Sequence, residues 1–94
     1  AALSMPVQEL GLATTIAAAV LHLGRTAEAA TVWAVCEVGF DELSWTPDGE
    51  AGELYEAVRA SLDDDALAAG RKEAVQMGME RGLAWVGQVA RGED

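Results

Sequence analysis

Along most of the chain, apolar residues recur three and four positions apart, the spacing of a helix face rather than of a strand. Pro6 opens a first helix through residues 7–23, with Leu10, Ala13, Ala17, Val20 and Leu21 on one side. Gly24 stands where helices commonly end, and Thr26 is the expected N-cap of a second helix with Glu28 in its first turn. That second helix directs Ala29, Ala30, Trp33, Cys36 and Phe40 inward. "SWTPDGE", residues 44–50, then interrupts the pattern, with Thr46 and Pro47 in the cap and first-turn positions of a third helix. Its stripe is Ala51, Leu54, Tyr55, Val58 and Leu62.

The triplet Asp63, Asp64 and Asp65 supplies a cap and an acidic first turn for a fourth helix, which faces Leu67, Ala74, Val75 and Met77 inward. Gly78 breaks that pattern. A fifth helix over residues 79 to about 90 places Leu83, Val86 and Val89 inside, with Trp85 at the edge. The expectation is an all-α fold of about five helices in antiparallel hairpins, two hairpins and a capping helix, forming one domain over residues 1–94.

Composition agrees with that layout. Hydrophobic residues make up 51% of the chain, much of it alanine, with one Phe and one Tyr beside three Trp. Alanine favours helices and lets them approach closely, whereas the β-branched and aromatic runs of strands are scarce. The formal charge is −10, and residues 37–65 hold ten acidic residues against one basic, Arg59. Such a surface repels phosphate backbones, so no nucleic acid is expected to bind this segment directly. A protein partner remains compatible with it. No apolar run reaches the roughly 18 residues of a membrane span, and a lone cysteine, Cys36, forms no intrachain disulfide; a cytoplasmic location is the simplest expectation. The opening "AALSM" lacks an initiator Met and suggests a piece of a larger multidomain protein.

Candidate chemistry is sparse. "GRT" at residues 24–26 follows a helix, has one Gly and lacks the Lys of a phosphate loop, so Arg25 reads as a turn arginine. His22 and Cys36 are too few for structural zinc, and as a nucleophile–base pair they would need a third, orienting group. The aspartate triplet lacks the alternating spacing of a calcium loop. Glu53 and Glu56 flank an apolar stripe and should face water. Neither a catalytic residue, a cofactor nor a metal site is therefore assigned, and the chain is expected not to be an enzyme. Trp33 should fill the core. Trp45, in the break, and Trp85, near the end, are the candidate partner contacts.

Residues 10–40 resemble a tetratricopeptide repeat: Ala13, Ile16, Ala17 and Val20 on the first helix, Gly24 at the turn, and Ala29, Trp33 and Cys36 on the second. A longer stretch resembles the C-terminal helical region of large actinobacterial LuxR-type regulators with a STAND-like ATPase module. The matching residues are Leu23-Gly24-Arg25, Glu28-Ala29-Ala30, Glu37, Pro47, Leu54-Tyr55-Glu56, and, without a gap, "ASLDDDALAAGRKEAVQMGMERGLA" over residues 60–84. Arg71 stands where that pattern has Trp, Ala74-Val75 replaces Gly-Arg, and Gly39-Phe40 replaces Leu-Arg. The resemblance implies a non-catalytic interaction or effector-sensing segment of a transcription regulator, meeting a protein partner or neighbouring domains of its own chain. A stand-alone acidic helical adaptor that pairs with itself as a homodimer is the alternative.

Overall fold

The computed structural model describes the backbone of residues 6–44 and 49–92, and the side chains of residues 11–44, 49–78 and 80–92. The fold is all-α. Helix α1 spans Pro6–His22, α2 Thr26–Glu42, α3 Gly49–Ala60 and α4 Asp64–Ala90, the last interrupted at Gly78. Counting the two halves of α4 separately gives the five helical segments expected from the periodicity.

The corner between α1 and α2 is closed by the backbone. The Gly24 N–H donates to Leu21 O at 2.9 Å and the Arg25 N–H reaches back to Val20 O at 3.2 Å. This is the paired arrangement of a Schellman motif, and it requires a left-handed residue, here Gly24 at φ +84°. The chain then turns straight back into α2. Thr26 does not cap it: Arg25 holds the cap position and its side chain makes no capping hydrogen bond. The negative charge of Glu28 in the first turn offsets the helix dipole instead.

Helix α2 lies at the centre. Val32, Trp33, Ala34, Val35 and Cys36 are all buried, and at 100° per residue those five positions sweep the whole circumference. Most of its surface is covered by α1 and by α4. Small residues make this possible: Ala13, Ala17, Ala29, Ala30 and Ala74 are each at most 1% exposed. Gly70 of α4 comes so near that a Cβ there would lie 2.6 Å from the Ala30 carbonyl oxygen.

Asp63 caps α4 as its sequence suggests, its Oδ1 accepting from the Ala66 N–H at 2.7 Å. Of the α3 stripe, Val58 and Leu62 are buried, whereas Ala51, Leu54 and Tyr55 are half-buried. Val75 departs from its expected inward place and is 70% exposed, because Ala74 already fills the contact and the next residue points about 100° away. The expected cap at Thr46 and Pro47 lies outside the described residues.

Candidate binding groove between α2 and α4

Gly78 adopts φ +77°, ψ 171°, a backbone state outside the helix and open almost only to glycine. The break redirects the second half of α4. Trp85 from that half thereby joins Glu73 and Met77 of the first half along one groove, whose other wall is Ala27, Glu28 and Thr31 from the opening turns of α2. The groove is open to solvent and holds about 230 Å³. That is below the roughly 300–1,000 Å³ of pockets that enclose drug-sized ligands or cofactors, but ample for one side chain.

Its charges are both carboxylates. Glu28 is joined in an ion pair to Arg25, one turn earlier and outside the lining. Glu73 is exposed, and among the described residues it forms no ion pair. Trp85 is half-buried and packs against both parts of the core, which fixes one edge of the indole. Met77, half-buried, adds a polarisable thioether to the floor.

Of the two candidate partner contacts, Trp85 therefore lies in a groove, and Trp45 falls outside the described residues. Ala27, Glu28, Thr31, Glu73 and Met77 were not anticipated as its companions. The available signal was the Gly78 break directly after Met77 and seven residues before a tryptophan at a helix edge.

The remaining candidates stay apart. Cys36 is fully buried, and the Thr14 hydroxyl lies 3.6 Å from its Sγ as a donor. Burial pushes the thiol up to about 11, the Thr14 hydrogen bond opposing only part of the effect. His22 is exposed in the last turn of α1, eight residues beyond Thr14 and thus about 12 Å further along the axis. No Cys–His pair is assembled. Glu50, Glu53 and Glu56 are all exposed, as are Asp64 and Asp65. Among the described residues no group of three His, Cys, Asp or Glu side chains could hold a metal ion, and no helix is long and apolar enough to cross a membrane.

Compared with protein-family models, curated proteins and solved structures, the chain matches none of them.

Proposed function

We propose that this chain is a non-catalytic interaction segment of a bacterial transcription regulator, built on tetratricopeptide-like helical hairpins, and that the groove beside Trp85 is its partner-contact surface. The observation that carries the proposal is the convergence of Trp85, Met77 and two carboxylates from separate elements on one open groove. An anchor aromatic ringed by polar groups is the usual anatomy of a protein contact. The α1–α2 hairpin and the residues 60–84 that resemble the actinobacterial regulators supply the wider context, and the reading is of a cytoplasmic protein. Immunoblotting of source cells tests it. A band several times larger than 9.8 kDa is expected, and a band at 9.8 kDa overturns the regulator-segment reading.

A second reading, self-association, has its own observation. Leu12 on α1 and Leu23, the residue just after that helix, are 63% and 70% exposed, and residues 10–21 contain no ionisable side chain. In a chain of charge −10, that helix is where two copies could meet with the least repulsion. Sedimentation equilibrium would show a dimer that Leu12→Glu dissociates; a monomer at every concentration removes this reading.

A further inference from the structure

The groove's chemistry selects what it can hold. Its volume suits one side chain, its lining offers an indole and a thioether to an aliphatic stem, and its two charges are negative. Arg25 is engaged with Glu28 and does not line the groove, so Glu73 is the carboxylate left to meet a cation. Arg81, four residues before Trp85, is exposed and also lies outside the lining. The surrounding field has the same sign, since the chain carries 16 acidic against 6 basic residues. An anionic partner would meet repulsion both at a distance and on contact. A purely apolar one would leave Glu73 desolvated beside it.

We propose that the groove of Glu28, Thr31, Glu73, Met77 and Trp85 receives a lysine side chain from a basic segment of a partner protein. The stem lies along Met77 and Trp85, and the ammonium group sits between the indole and the Glu73 carboxylate. This rests on the groove being the partner-contact surface.

The test is a titration of the isotope-labelled chain, followed by amide and indole NMR, with a peptide of blocked termini whose one ionisable side chain is a lysine. The same peptide with norleucine in its place keeps the four-carbon stem and removes the charge. The lysine peptide should shift the Trp85 indole N–H and the amides of Thr31, Glu73 and Met77, and the norleucine peptide should bind about fivefold more weakly. Glu73→Gln should weaken the lysine peptide by about three- to fivefold, while Asp65→Asn, an equal change of charge on an exposed residue outside the groove, should leave it within about twofold.

Equal binding of the two peptides overturns the cation inference and leaves the groove as an apolar contact. Equal weakening by Glu73→Gln and Asp65→Asn overturns it in favour of a diffuse acidic field. Free butylammonium binding as tightly as the peptide would point to a small amine and overturn the peptide source. No shift at Trp85 with either peptide removes both this inference and the groove itself as a contact surface.

Discussion

Arg71 of α4 grips both carboxylate oxygens of Glu37 on α2, Nε to Oε1 at 2.9 Å and Nη2 to Oε2 at 3.0 Å. Its guanidinium carbon also lies 5.6 Å from the centre of the Trp33 ring. The Tyr55 ring of α3 stacks on Trp33 at 4.7 Å and 19°, and the Trp33 indole N–H donates to the Tyr55 carbonyl oxygen at 3.0 Å. Phe40 closes the group edge-on to Tyr55 at 5.2 Å. Three helices are thus tied at one point by planar groups.

The ion pair is partly solvated, with side chains 43% and 36% exposed, so its share of stability is limited by screening. Arg71→Ala should lower unfolding stability by about 1 kcal/mol in urea titrations, combining a bidentate pair with an exposed cation–π contact. Arg71→Lys should recover less than half, because an ammonium cannot present the planar fork. Trp33→Ala, at a site 1% exposed, should cost about 3–5 kcal/mol. Wild-type stability in Arg71→Ala would show that the pair contributes nothing measurable.

Gly70 gives a sharper steric test. An added Cβ would meet the Ala30 carbonyl oxygen at 2.6 Å and the Thr31 nitrogen at 2.9 Å, both main-chain atoms of α2 that cannot move alone. Gly70→Ala should therefore cost about 1–3 kcal/mol despite the better helix propensity of alanine. Gly82 differs in kind, since its added Cβ would meet the Val35 side chain at 2.9 Å. Adding Val35→Ala should relieve Gly82→Ala but not Gly70→Ala in a double-mutant cycle.

What the sequence disclosed follows from which interactions are local. Gly24, the Asp63 cap and the Gly78 break all announce themselves within a few residues, because turn and cap geometry is set by neighbouring backbone. The buried face of α1 at Ala13, Ala17 and Val20 was legible for the same reason, since periodicity is local. The burial of Val32, Ala34 and Val35 around the rest of α2 was not, since it depends on α1 and α4 both packing against that helix. Val75 shows the limit of that signal: its neighbour Ala74 takes the contact, and a β-branched residue beside the buried stripe resembles a member of it. Glu37 and Arg71 are 34 residues apart, and no spacing rule links them. The groove is less legible still, because Glu28 and Glu73 meet only when α4 packs on α2, and Trp85 joins them from beyond the kink at Gly78.

That dependence can be tested. At φ +77°, ψ 171°, an alanine at position 78 would be strained by about 1–3 kcal/mol unless the chain reverted to a continuous helix. Reversion to a continuous helix should move Trp85 relative to Glu73 and Met77, whereas a strained but retained break should show itself as lost stability. Gly78→Ala is thus expected to shift the Trp85 indole N–H resonance and to weaken the lysine peptide more than Gly92→Ala does, although Gly92 too has positive φ, +76°. An unchanged Trp85 resonance without loss of stability would show that the groove does not need the break.

Cys36 links the core to pH. Burial raises its thiol from 9.0 to about 11 in the folded chain. The folded state therefore keeps the thiol proton over a range in which the unfolded chain has lost it. Stability from this group is complete below about pH 9 and is lost as the pH rises through 11. Burial, reinforced by the charge of Glu37, also raises the Tyr55 phenol, which acts in the same direction at still higher pH. The urea midpoint should accordingly fall above pH 9. Cys36→Ala should lower it at neutral pH, because a packed side chain is lost, yet flatten the alkaline decline. Thiol labelling supplies an independent check: at pH 8 the folded chain should react with a disulfide reagent only as fast as it opens, and at once in denaturant. Rapid labelling of the folded chain at pH 8 would show that Cys36 is accessible and that its thiol is not the source of the alkaline loss.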